Sequence, residues 1–219
     1  MPPIDKFFVR NRLDMEKIEI IKTYYESNMG KGLPEYGILG WESAEAQRLR
    51  FEALVSSVNL QGKRLLDVGC GTGNLYEYIR EKGINIEYTG VDLLQSMIDI
   101  AKSKKLDAEF QCVDIFKNNP FEENSFDIVY SSGIFNLNLG NNKEFLTKAI
   151  RLFVSLAKET VAFNLLDIAS PDREDPYFYF DPDEVPKIIE KATDKIAKIN
   201  IVKQYLQNDF TVICHKNPK

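Results

Sequence analysis

From about Lys63 onward, short runs of β-branched and other apolar residues alternate with segments in which apolar positions recur every three to four residues. That rhythm predicts an α/β sheet with helices on its faces. Strands are expected at 64–68, 86–91, 108–113, 126–131 and 160–166, and helices near 73–82, 95–102 and 142–157. In the last helix Phe145, Ala149, Leu152, Phe153 and Leu156 share one face. The strand runs are almost continuously apolar, as parallel strands covered on both sides are.

The tail changes rhythm. Asp181-Pro182-Asp183-Glu184 reads as a helix start, with Asp181 as N-cap, Pro182 at the first helical position and Glu184 completing a capping box. Two more strands, 195–204 and 209–215, are separated by a connection short enough for an antiparallel hairpin. Residues 1–60 predict two helices, 13–27 and 43–58, the second with Phe51, Leu54, Val55 and Val58 on its core face. Between them, residues 30–41 form a loop with four glycines and a proline that nevertheless carries Tyr36 and the single tryptophan, Trp41. Aromatic side chains on such a loop suit a cover over a binding site. The expected organisation is one domain over 1–219, a helical cap of residues 1–60 followed by a sheet and hairpin over 61–219.

Composition narrows the function classes. With 28 Lys+Arg against 33 Asp+Glu, the net charge of −5 gives no general attraction to nucleic acid or anionic membrane. No apolar run reaches the ~18–20 residues of a membrane helix, and the opening MPPIDKFFVRNRLD lacks a secretory layout, so a cytoplasmic protein is expected. Cys70, Cys112 and Cys214 are far apart and His215 is the only histidine, which suits neither a disulfide framework nor a zinc site; no metal is expected.

The chemistry concentrates in LLDVGCGTGN, residues 65–74, placed between a strand and a helix. Gly69, Gly71 and Gly73 let the backbone turn tightly and approach a ligand, while the following helix presents unpaired N–H groups. Asp92 closes the second strand, 19 residues after Gly73, where a carboxylate can accept both hydroxyls of a ribose. Asp114 and Ile115 follow the third strand, pairing an acceptor with an apolar side chain as an adenine edge requires. The fourth strand ends in Ser131-Ser132-Gly133, small residues that leave room against the main chain. In an open parallel sheet these positions gather at the carboxyl edge. A dinucleotide fingerprint would need glycine at 74, where Asn74 stands, and a P-loop would need Gly-Lys-Ser/Thr.

These motifs resemble the class I S-adenosylmethionine-dependent methyltransferases, over roughly residues 62–167. LLDVGCGTGN is similar to that family's first motif, GVDLLQSMIDIAK to its ribose-binding strand and helix, QCVDIF to its adenine-binding turn and FDIVYSSGIFN to its fourth-strand motif. LGWESAEAQRLRFEALV, AFNLLD, YFYFDPDEV and LQNDFTV extend the likeness to a bacterial and archaeal group of small methyltransferases. The resemblance implies a Rossmann-like fold with a seven-stranded, mostly parallel sheet of order 3-2-1-4-5-7-6 whose last strand is antiparallel. It implies S-adenosyl-L-methionine as cofactor and S-adenosyl-L-homocysteine as product. It puts Asp67, Gly69 and Gly71 around the methionine moiety, with Gly73 completing the turn. Asp92 falls on the ribose, Leu93 against the adenine, and Asp114 with Ile115 at its edge. A main-chain carbonyl of Ser131 or Ser132 falls near the ammonium. Tyr36, Trp41 and Arg50 occupy places where related caps close over the cofactor or pair with its carboxylate.

Each residue has a plainer reading. Asp67 would otherwise bond loop amides, Arg50 would make a surface ion pair, and Tyr36 and Trp41 would pack the cap. Cys70 suits packing better than nucleophilic attack, and His215 a strand position better than a general base. Acceptor contacts are expected from Phe135, Asn136 and Asn138, from Asn164, and from Tyr177 and Tyr179, with Asp167 as the acid or base; its plain reading is the cap of a turn. The aromatic run 177–180, with the cap aromatics, favours a small organic acceptor; an O- or N-nucleophile, a monomer or homodimer, and no nucleic-acid or membrane partner are expected. No N/D-P-P-Y/F and no Pro-Cys follows the fourth strand, as base methylation would need. The rival readings are a non-catalytic cofactor sensor or scaffold and an NAD(P)-binding protein.

Overall fold

A computed structural model describes the backbone of residues 6–217, with side chains from Lys17 onward. The opening segment read above for a leader, and the first residues of the helix expected at 13–27, lie at least partly outside the described side chains. The described chain divides into two compact units, residues 1–44 and 45–219.

In the first unit, helix α1 (Lys6–Met29) is followed by α2 (Glu35–Ile38), a single turn inside the stretch expected to be a loop. Pro34 explains it: its carbonyl accepts from Gly37 and Ile38 amides at 2.8 and 3.1 Å, and its own lack of an N–H costs nothing at a helix start. The Trp41 amide donates to the Tyr36 carbonyl at 2.8 Å, so the two aromatics share one tight turn and are both half-buried.

The second unit begins with α3 (Ala44–Ser57) and then alternates β1 (Arg64–Val68), α4 (Asn74–Glu81), β2 (Glu87–Asp92), α5 (Gln95–Ser103), β3 (Glu109–Cys112) and β4 (Phe126–Ser131). It ends with α6 (Asn142–Leu156), β5 (Ala157–Leu166), α7 (Val185–Ala192), β6 (Ile196–Val202) and β7 (Asp209–Lys216). The seven strands lie in the order β3-β2-β1-β4-β5-β7-β6. β1 to β5 pair in parallel, and β7 runs antiparallel to both β5 and β6. This is the sheet order that the resemblance implied.

Period-two alternation sends neighbouring side chains to opposite faces, and both faces are covered. Leu66, Val129 and Phe163 pack with Leu146 and Phe153 of α6 and Ile189 of α7. Leu65, Ile128 and Ala162 pack with Leu54 of α3, Ile79 of α4 and Ile98 of α5. Because Phe51, Leu54 and Val58 enter this second core, α3 belongs with the sheet, and the division falls at residue 44, earlier than the expected cap boundary at 60.

The helix expected from Asp181 starts at Val185 instead. Asp181 does act locally, its carboxylate accepting from the Asp183 amide at 2.8 Å, but residues 181–184 close a turn. Glu184 makes no capping box; both its oxygens accept from Lys143 of α6 at 2.7 Å. Long-range pairing wins there over the local box.

Candidate functional site

The carboxyl ends of β1 to β5 lie on one edge, and the antiparallel β7 begins there, Asp209 standing opposite Leu166. The glycine turn after β1 is fixed by conformation and by space. Gly69, Gly71 and Gly73 all have positive φ. A Cβ at Gly69 would lie 2.2 Å from Ile134 Cγ2, and one at Gly73 would lie 2.9 Å from the Phe110 ring. Side chains are excluded at both points, so the turn presents bare backbone.

Asp92 holds this turn. Its Oδ2 accepts from the Gly71 amide at 3.0 Å and its Oδ1 from the Leu94 amide at 2.9 Å. Burial raises its pKa against these amide bonds. The Leu93 amide bears on the same carboxylate, so three main-chain amides hold it and part of its acceptor capacity remains for hydroxyls. Leu93 beside it is half-buried. Asp114 Oδ1 accepts from the Phe116 amide at 3.1 Å in a tight turn, and Ile115 is buried behind it. Ser131 is fully buried, its hydroxyl donating to the Val68 carbonyl at 2.7 Å and tying the ends of β4 and β1 together.

Asp67 is buried on β1 and accepts from the Tyr88 hydroxyl at 2.5 Å. Burial pushes its pKa up to about 7, the Tyr88 bond opposes this, and the nearby Asp92 charge adds to the rise. Since the folded pKa lies above the ordinary carboxylate value of about 4, the protonated form is favoured by the fold. The stability this group contributes is fully present below about pH 4 and is lost as pH rises through about 7. A cationic ligand group beside Asp67 would favour the ionised form and reverse that loss. Cys70 packs against Gly90, where a Cβ would lie 2.8 Å from its sulfur, and burial holds its thiol well above the usual range. It is therefore inert.

Asn74 does more than break a dinucleotide fingerprint. Its Oδ1 accepts from Thr72 Oγ1 and Lys104 Nζ, both at 2.9 Å, and its Nδ2 donates to Gln47 of α3 at 3.1 Å. Arg50, one turn further along α3, forms neither a surface ion pair nor an open anion site. Its Nε donates to Asp209 Oδ2 at 2.8 Å, with both side chains buried.

On the acceptor side the three expected segments meet. Leu137 bridges Tyr177, Asp167 bridges Phe180, and the Phe178 amide donates to the Asn136 carbonyl at 2.8 Å. Within them the individual side chains differ. Asn136, Tyr177 and Tyr179 are half-buried, with the Tyr179 hydroxyl accepting from the Glu174 amide at 3.0 Å. Asn138 is exposed and accepts from the Gly140 amide. Phe135 is 1% exposed, its ring against Phe145 and Phe163, so it is core. Asn164 is fully buried and bonded to Asp209 and Gly133. Asp167 Oδ1 accepts from the Ala169 amide at 2.9 Å, the turn cap of its plainer reading, and Lys203 Nζ lies 3.7 Å from Oδ2. His215 lies at the opposite end of β7, paired in register with Thr160.

Residues 65–155 match the family described as a methyltransferase domain. The seven-stranded order places that matched segment in the class I methyltransferase fold. Over 71 residues, 31% of this chain and 30% of the relative, it is 39% identical to the ubiquinone biosynthesis O-methyltransferase of Coxiella burnetii. The match thus spans under a third of that curated relative's length. The methyltransferase fold is shared with magnesium protoporphyrin IX methyltransferase from Synechocystis PCC 6803, solved with bound S-adenosylhomocysteine. The TM-score is 0.58 at 16% identity, over 98% of this chain and 100% of that one. It is shared also with the 4+2 cyclase SpnF, at a TM-score of 0.59 and 19% identity over 81% and 86%. No helix among the described residues of this chain is long and apolar enough to cross a membrane. The described residues hold no group of three His, Cys, Asp or Glu side chains arranged for a metal ion.

Proposed function

We propose that the protein binds S-adenosylmethionine at the carboxyl edge and transfers its methyl group to an oxygen or nitrogen of a small organic acceptor. The observation that carries this reading is the glycine turn held by Asp92, with Asp67 near the end of β1 and Asp114 just beyond β3. The residues suit the cofactor part by part. The Asp92 carboxylate suits ribose hydroxyls, Asp114 and Ile115 suit an adenine amino group and ring, and Asp67 suits an ammonium. Bare backbone at Gly69 and Gly71 admits a close approach.

When bound, the cofactor supplies a methyl group on a sulfonium, already joined to a good leaving group. A bound cofactor would offer that methyl group to the acceptor's lone pair by in-line displacement, with the thioether as leaving group. The acceptor proton passes to solvent or to Asp167. The protein's part is then to align the acceptor and exclude water. The half-buried Asn136, Tyr177 and Tyr179 are the side chains offered for that alignment. The Coxiella relative, named for ubiquinone biosynthesis, supports a small organic acceptor.

Asp67 makes a testable prediction. With a pKa of about 7, its ionised fraction rises from about 0.1 at pH 6 to about 0.9 at pH 8. Affinity for S-adenosylhomocysteine should therefore rise about tenfold over that interval, measured by calorimetry. Asp67→Asn should flatten the profile, and a wild-type profile just as flat would remove Asp67 from the ammonium site.

A second reading, a cofactor-binding protein without methyl transfer, draws on the SpnF likeness, since that protein of this fold is a 4+2 cyclase. Incubation with S-adenosylmethionine and a fractionated metabolite extract separates the two. Release of S-adenosylhomocysteine that depends on one fraction supports the transferase, and its absence across all fractions from a binding-competent protein supports the second reading.

A further inference from the structure

We propose that Asp209, Asn164 and Arg50 are positioning residues that set the shape of the cofactor site by holding the turn after β4 against the glycine turn. The proposal rests on reading that site as one for S-adenosylmethionine.

The three side chains come from β7, β5 and α3, and they are 2%, 0% and 3% exposed. Asn164 Nδ2 donates to both Asp209 oxygens, at 3.2 and 3.1 Å, and Arg50 Nε donates to Oδ2 at 2.8 Å. The Tyr205 hydroxyl donates to Oδ1 at 2.6 Å. The other end of the Asn164 carboxamide faces the site, its Oδ1 accepting from the Gly133 amide at 3.0 Å. Gly133 has φ +92°, and the next residue, Ile134, is the one whose methyl group occupies the space above Gly69. A continuous chain of contacts therefore runs from Arg50 through Asp209, Asn164, Gly133 and Ile134 to the glycine turn. On the same face of α3, three residues before Arg50, Gln47 bonds to Asn74 at the other end of that turn.

The energetics favour a geometric role. A buried ion pair seldom adds net stability over apolar side chains of similar volume, because both charges lose their hydration. Burial accordingly raises the Asp209 pKa, opposed by Arg50, Tyr205 and Asn164. What apolar side chains could not supply is the directed bond to the Gly133 amide.

The test compares thermal stability with affinity for S-adenosylhomocysteine in the full chain. The variant R50M/N164L/D209L replaces the polar set with apolar residues of similar size and is expected to melt within about 5 °C of wild type. Its dissociation constant is expected to rise at least tenfold. Unchanged affinity, within about threefold, would overturn the proposal. If this variant fails to fold, Asn164→Ala cuts only the Gly133 tether; the same rise in a folded protein supports positioning, and wild-type affinity overturns it. Wild type that binds no S-adenosylhomocysteine would instead defeat the cofactor reading itself, so the two failures are distinguishable.

Discussion

Replacing Asp92 with alanine is expected to weaken binding of S-adenosylhomocysteine at least 100-fold. On the proposed reading two ribose hydroxyls donate to the carboxylate, and hydrogen bonds to a charged group contribute about 1.5–3 kcal/mol each. Losing two of them costs about 3–6 kcal/mol, a factor of roughly 10² to 10⁴. The same change releases the Gly71 and Leu94 amides, so the glycine turn also loosens. Asp92→Asn keeps the shape and one acceptor oxygen, and should fall between wild type and alanine. Calorimetric titration of the three proteins, each checked for a cooperative melt, measures the series. Equal affinity across it would show that Asp92 serves the turn alone.

The second large effect concerns stability. Asp209→Ala leaves the Arg50 guanidinium buried without its carboxylate and removes an acceptor from Tyr205 and Asn164. Breaking one side of a buried pair costs about 3–5 kcal/mol. In a chain of this size each kcal/mol shifts the melting temperature by about 2–4 °C, so a fall of about 10 °C is expected in a thermal melt. The contrast with R50M/N164L/D209L is the informative part, because removing the whole polar set leaves no orphaned charge. A small effect of Asp209→Ala would mean that water reaches Arg50 readily and that the pair is less buried than its geometry indicates.

The residues proposed for the cofactor are legible in the sequence because each is local to a strand end. Gly69, Gly71 and Gly73 follow β1 directly, Asp92 closes β2, and Asp114 lies two residues beyond β3, so finding the strands located the carboxyl edge. The strand order came from the resemblance, since alternation alone says nothing about which strands pair. What escaped local reading depends on distant partners. Arg50 and Asp209 are 159 residues apart, and nothing near either one announces the other. Asn164 sits on a strand among apolar residues, which suited a ligand contact as well as the buried bond it makes. Phe135 follows a glycine turn as a lining residue would, yet Phe145 and Phe163 enclose it. Glu184 fits a capping box by spacing and is taken by Lys143 from another helix.

The central claim is that the glycine turn and its three acids form a site for S-adenosylmethionine. Calorimetric titration of the wild-type protein with S-adenosylhomocysteine at pH 8, with NAD as the control, tests it most directly. Saturable one-to-one binding with a dissociation constant on the order of 1 µM, about −8 kcal/mol, and no heat from NAD is the predicted result. Binding of NAD with none of S-adenosylhomocysteine would contradict the claim.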